Sequence, residues 1–185
     1  MVVRDADLLA ELGRRARCTV HISVPTVDED AWAALEPGTA HPLQRLRAVR
    51  ALRKAGVNAG VLMAPIVPGF TTERRRLEAT IRAVAEHDAA FMGANVLYLK
   101  GGTKDHFMGF LRREFPHLVE GYERLYPGSY APAEYVQTVK GLVDDLRRRH
   151  AVGARAFRLA DDREEERPAA DGADPATQQA FVWAR

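Results

Sequence analysis

Cysteine is all but missing from this chain: Cys18 is the single thiol among 185 residues. One thiol excludes an internal disulfide framework and suits a reducing compartment. Long apolar runs are missing as well. None approaches the 18 residues a spanning helix needs, so no membrane helix is expected. The start, MVVRDADLLAEL, carries charge from Arg4 onward and has no apolar stretch of signal-peptide length, so the expectation is a cytoplasmic protein. Charge of one sign is scarce, with a formal net charge of only +2. The runs Arg74-Arg75-Arg76 and Arg147-Arg148-Arg149 could touch phosphates or simply coat solvated helix faces. Aromatic residues do not interleave with them as on a platform that stacks single strands. Also absent are a P-loop, a glycine-rich dinucleotide fingerprint, a GxSxG elbow and a zinc pattern.

What is present is enough apolar matter, 46% of residues, to bury a core; one domain with a tail is the natural organisation. A helix is predicted over about 5–16, capped by Asp5, with Leu8, Leu9 and Leu12 on one face. CTVHISVPT follows as a strand, its Val20, Ile22 and Val24 alternating with His21, Ser23 and Pro25. After a loop punctuated by Pro37-Gly38, Pro42 opens a helix with the stripe Leu43, Leu46, Val49 and Leu52, and Gly56 stops it. VNAGVLMAPIV is apolar throughout, as a strand of a parallel sheet buried on both faces would be. Pro68-Gly69 turns the chain, Thr71 or Thr72 caps the next helix (Leu77, Ile81, Val84, Ala85), and ANVLYLK reads as a third strand.

Strand, helix, strand, helix, strand with short connections predicts an α/β fold of right-handed parallel βαβ units. Three strands are too few to close an eight-stranded barrel, so the expected architecture is a partial, half TIM-type barrel over residues 1–102. Residues 103–150 then read as a helical extension. Thr103 caps a helix bearing Phe107, Phe110 and Leu111, Pro116 opens a second, and Pro132 opens a third carrying Tyr135, Val136, Val139, Leu142, Val143 and Leu146. Asp144–Arg148 and Asp145–Arg149 stand four apart on its solvent side. Residues 151–185, including ADDREEERPAADGADPATQQ, lose all periodicity and read as a disordered tail that ends in FVWAR.

Ligands of parallel α/β sheets bind beyond the carboxyl ends of the strands. That rule selects residues 23–26, 64–72 and 98–102. Ser23 and Thr26 offer hydroxyls, with Asp28 close behind, though all three residue types also favour loop caps. By alternation Tyr98 and Lys100 share a face, which would set a phenol and an ammonium against an anionic substrate; a lysine snorkelling at a strand end reads equally well. His21 reads as an interior histidine and Cys18 as a small buried hydrophobe. His41, His106 and His117 sit near helix starts without a spacing that converges on a metal. Glu36 and Asp28 have no evident carboxylate partner for acid–base work.

The strings SVPTVDEDAWAALEPGTAHPLQRLRAVRALRKAG, GVLMAPIVPGFT, NVLYLKGGTKDHFMGFLRREFP and YERLYPGSYAPAEY together resemble a subgroup of radical S-adenosylmethionine (SAM) proteins related to spore photoproduct lyase, a DNA-repair enzyme. The likeness runs from about Val3 to His150, and the pieces LEPGT, APIVPG and HFMGFLRREFP carry it by order and spacing. The resemblance implies a [4Fe-4S] cluster on a CxxxCxxC loop and a SAM cofactor, cleaved to a 5′-deoxyadenosyl radical. This chain has no such loop, so it resembles strands four to six and the helical extension of that barrel, inactive alone. By the same resemblance Ser23, Thr26 and the region of Met63 and Pro65 help hold SAM, and Tyr98 and Lys100 line the substrate side. Two departures stand out: Pro25 replaces a small hydroxyl residue, and Thr72-Glu73 replaces the aspartate after the PG turn. The implied partners are a separate N-terminal radical SAM half or a second copy, with nucleic acid suggested by the family alone. The alternative reading is a non-catalytic binding or partner subunit that keeps the half-barrel.

Overall fold

The computed structural model describes residues 2–153. The expected tail lies outside the described residues apart from Ala151, Val152 and Gly153, and so does FVWAR. A single 3-10 turn, Val2–Asp5, leads into α1 (Ala6–Arg15), then β1 (Val20–Ser23), α2 (Glu29–Leu35), α3 (Pro42–Lys54), β2 (Ala59–Ile66), α4 (Arg74–Glu86) and β3 (Met92–Val96). After the sheet come α5 (Gly102–Glu114), a 3-10 turn at Pro116–Leu118, α6 (Val119–Leu125) and α7 (Ala133–Arg149). The three strands form one parallel sheet in the order β1-β2-β3, as the βα alternation predicted.

Register decides what each face does. Val20, Ile22, Ala59, Val61, Met63, Met92 and Ala94 share one face of the sheet. Against it pack Leu46, Val49 and Leu52 of α3, Leu77, Ile81 and Val84 of α4, and Val139, Val143 and Leu146 of α7. Each fully buried aliphatic side chain here contributes about 1.5–3 kcal/mol of transfer free energy. The opposite face carries Ser23, Leu62, Ala64, Gly93 and Asn95, none of which belongs to a buried cluster. At its amino end His21 and Phe91 pack with ring centroids 4.9 Å apart, over Gly60. A Cβ on Gly60 would stand 2.4 Å from the Phe91 carbonyl oxygen, so only glycine fits there.

Local chemistry sets the helix ends, in several cases not by the expected residue. α3 does start at Pro42, with His41 Nδ1 accepting from the Leu43 amide at 3.2 Å, and Gly56 ends it at φ +84°. Asp5 precedes α1 without capping it, because Arg4 holds its carboxylate. Thr71 and Thr72 do not cap α4 either. Their hydroxyls accept from the amides of Val67 (2.8 Å) and Gly69 (3.2 Å) and so brace the Pro68-Gly69 turn, while Glu73 takes the cap position. Thr103 lies inside α5, whose cap position is Gly101. α2 was not predicted: Asp28 caps it, accepting from the Ala31 amide at 2.9 Å.

Three packing outcomes also differ from the pattern. In α1 the buried residues are Ala6 and Ala10, whereas Leu8 and Leu12 are 72% and 49% exposed. The third strand stops at Val96 instead of running through Lys100. On α7, Asp144 and Asp145 pair three residues ahead, with Arg147 and Arg148, which frees Arg149 to reach Glu78 of α4 at 3.4 Å. A second core cluster joins Val67, Phe70 and Leu99 to Leu111, Leu118, Tyr122, Leu125 and Tyr126. Tyr135 and Val136 of α7 touch both clusters. The helix assigned by pattern to the extension thus packs as a sheet helix.

Candidate functional site

The carboxyl ends of the three strands meet around the open face. At β1, the Ser23 hydroxyl donates to the Ala64 carbonyl at 3.1 Å, tying the strand end to the cis Ala64–Pro65 peptide of β2. The Ser23 carbonyl accepts from Arg45 Nη1 at 3.1 Å. That guanidinium also donates to the Ala40 carbonyl (2.7 Å) and to Thr39 Oγ1 (2.6 Å) and pairs with Glu36 at 3.1 Å. Arg45 therefore gathers the whole LEPGTAH loop beside the strand end. Trp32 Nε1 donates to the same Thr39 hydroxyl, and the Trp32 ring meets His41 edge-on.

Thr26 is 2% exposed. Its hydroxyl accepts from the Asp28 amide at 3.1 Å, a turn contact that leaves it inside the loop. Asp28 in turn pairs with Arg76 at 3.3 Å, and Arg76 donates to the Phe70 carbonyl at 2.6 Å. Met63 is fully buried on the helix-covered face. Pro65 is exposed and Pro25 buried. Of the four residues implicated in holding SAM, Ser23 and Pro65 are exposed, linked through the Ala64 carbonyl; Thr26 and Met63 are buried.

The substrate-side pair is also rearranged. Tyr98 lies beyond the end of β3, bridged to Tyr130 and stacked on its ring at 5.9 Å. Both phenols are about half exposed, and Lys100 is exposed. Two buried tyrosines that pattern reading missed brace the segments after β2 and β3. Tyr122 donates its hydroxyl to the Pro68 carbonyl at 2.5 Å and Tyr126 to the Leu97 carbonyl at 2.8 Å. Burial pushes both phenols well above the ordinary 10.0, and it raises Tyr135 as well. The lysine that finds backbone partners is Lys104, whose ammonium donates to the Tyr126 carbonyl at 2.7 Å. A signal for the tyrosines was available in YERLYPG, two aromatics four apart on one helix face ahead of a turn.

Among the described residues no group of three or more His, Cys, Asp or Glu side chains converges as metal ligands. His41 is spent on its helix cap, and Cys18 is half-buried in the segment leading into β1, at the amino end of the sheet. The residues present therefore do not fit an iron–sulfur cluster. Five of the six arginines of the basic runs form ion pairs: Arg75 with Glu73, Arg76 with Asp28, and Arg147, Arg148 and Arg149 with Asp144, Asp145 and Glu78. No helix among the described residues is long and apolar enough to cross a membrane.

No protein-family model matches the chain, and no solved structure does. It is 33% identical over 180 residues to the uncharacterized protein Rv2578c of Mycobacterium tuberculosis (strain ATCC 25618 / H37Rv) and equally to the uncharacterized protein Mb2609c of Mycobacterium bovis. Those alignments take in 97% of this chain and 49% of each relative, so the chain spans about half the length of the curated relatives it matches. It is also 32% identical over 114 residues to the uncharacterized protein ORF301 of Acidianus two-tailed virus, covering 60% of this chain and 37% of that one.

Proposed function

We propose that this chain is the C-terminal portion of a radical SAM enzyme, a half TIM-type barrel that supplies one wall of a site completed by another polypeptide segment. The observation that carries the reading is the one-sided sheet. Parallel sheets are covered on both faces or closed into barrels, yet among the described residues the helices packed on the sheet lie on one face, and Ser23, Leu62, Ala64, Gly93 and Asn95 line the other. The resemblance carried by the LEPGT, APIVPG and HFMGFLRREFP motifs supports this family reading, and relatives about twice as long give room for a complement.

In this reading Ser23 and Pro65 form the SAM edge. The Ser23 hydroxyl donates to Ala64 and keeps lone pairs free to accept from a ligand amine. Tyr98 and Lys100 form the substrate edge, on the segment held by Tyr130. The [4Fe-4S] cluster belongs to the complement, and no radical-generating step is assigned to residues of this chain. A DNA-repair-lyase-like reaction on nucleic acid is the family's suggestion for the substrate.

The test is to sequence the DNA upstream of the codon for Met1 and co-express any frame encoding CxxxCxxC with this chain. After anaerobic reconstitution, SAM-dependent release of 5′-deoxyadenosine is expected only when both are present, and Ser23→Ala should weaken SAM binding. A reconstituted pair that neither binds nor cleaves SAM would sink the proposal. One observation favours a second reading, a non-catalytic subunit that keeps the half-barrel: Thr26 and Met63 are buried away from the open face. That reading requires a stable complex whose assembly is indifferent to SAM.

A further inference from the structure

Opposite the strand carboxyl ends, at the amino end of the sheet, lies a cavity of about 1000 Å³. Its walls come from the last turn of α1 and the connection into β1 (Arg14, Arg15, Arg17, Cys18), from Asn58 before β2, and from Phe91 before β3. No carboxylate among the described residues lines it. The nearby Glu11 is shared by Arg14 and Arg15, the latter at 2.6 Å. Among the described residues, the wall thus carries three arginines beside one neighbouring carboxylate, a local excess of two positive charges.

Two of these arginines have an ordinary explanation. Cations in the last turn of a helix complement its negative end, which accounts for Arg14 and Arg15. Arg17 lies past that end, on the extended connection, and forms no ion pair among the described residues. Helix electrostatics therefore do not account for it. Asn58 is held in the wall by a donation to Thr19 Oγ1 at 3.2 Å, which leaves its side-chain carbonyl and second N–H available.

We propose that this amino-end cavity binds a small phosphorylated ligand carrying two or more negative charges. Guanidinium forks match phosphate oxygens in pairs, and the volume is that of a metabolite-sized site. The whole chain's formal charge of +2 provides little long-range attraction for a polymer, so the local excess favours a small multivalent anion.

Cys18 makes the site testable, because the chain's single thiol stands in the wall. On the full chain, an anionic aromatic disulfide at low salt should modify Cys18 at least about threefold faster, relative to a free-cysteine peptide, than a neutral maleimide does. Inorganic pyrophosphate should slow both reagents severalfold, and sodium chloride of equal ionic strength should not. The double variant Arg14→Glu/Arg17→Glu, checked for a native circular dichroism spectrum, should lose both effects. Maleimide labelling that pyrophosphate leaves unchanged would overturn the proposal, and so would a double variant that behaves like the parent. Protection by a short oligonucleotide where pyrophosphate gives none would overturn the assignment to a small ligand.

Discussion

Arg45 spends its guanidinium on one strand end and one loop. It donates to the carbonyls of Ser23 and Ala40 and to Thr39 Oγ1 and pairs with Glu36, with only 13% of its side chain exposed. Removing it takes away a charged donor from four acceptors at once, on Ser23, Ala40, Thr39 and Glu36. Arg45→Ala should therefore cost about 2 kcal/mol, a fall in Tm of roughly 4–8 °C for a chain of this size. Arg45→Lys should recover less than half of that loss, because an ammonium cannot reproduce the planar fork. Thermal denaturation followed by circular dichroism decides it, and an unchanged Tm in the alanine variant would refute the role. Nothing in the sequence singled out Arg45 from the other arginines of α3. Its partners lie up to 22 residues away, and spacing along one helix does not report them.

At the scale of elements, two sets of contacts tie the helices down, and each titrates. Tyr122, Tyr126 and Tyr135 anchor the later helices, and burial raises all three phenols above the ordinary 10.0. A group whose folded value is raised contributes stability that is complete below its unfolded value and is lost as pH rises toward the folded one. Stability should hold up to about pH 9 and fall beyond about pH 10, as the unfolded chain ionises its phenols first. Urea titrations across that range measure it, and Tyr122→Phe/Tyr126→Phe should flatten the decline. A decline of parental steepness in the double variant would assign it elsewhere.

The opposite sign applies where α4 meets α7. Glu78 accepts from His150 and pairs with Arg149, and the His150 hydrogen bond, followed by the Arg149 charge, holds its carboxyl below the ordinary 4.5. A depressed folded value contributes stability present above 4.5 and lost as pH falls through the lower folded value. Glu78→Gln should remove that part of the acid sensitivity. It should also leave Tm at neutral pH lower than the parent's. Identical acid profiles for the two proteins would count against the contact.

At the scale of the whole molecule, the described residues leave part of their apolar surface uncovered. One sheet face lies outside the buried clusters, and Leu8 and Leu12 stand four apart and exposed on α1. Exposed apolar stripes of this kind mark interaction sites or aggregation hazards. The isolated chain should therefore elute above monomer mass and bind an exposed-hydrophobe dye, and Leu8→Lys/Leu12→Lys should shift it toward monomer. A stable monomer without dye binding would contradict this. Helix periodicity found the Leu8, Leu9 and Leu12 stripe, of which only Leu9 packs against the core, because periodicity defines a face without saying what it packs against.

The sequence by itself determined the strand–helix alternation, from which parallel pairing follows by the short crossovers, and the helix punctuation at Pro42 and Gly56, which rests on interactions within a few residues. It also determined that Cys18 is the single thiol, and with it that no cluster can be held by cysteines of this chain. Only the tertiary structure decided that Met63 turns to the helices while Ser23 meets Ala64, and that Tyr98 leaves the strand to stack on Tyr130. Likewise only the fold brought Arg17 and Cys18 to one wall with Asn58 and Phe91. The physical reason is separation. Those contacts join residues tens of positions apart, and register and packing choose among partners that local pattern leaves equivalent.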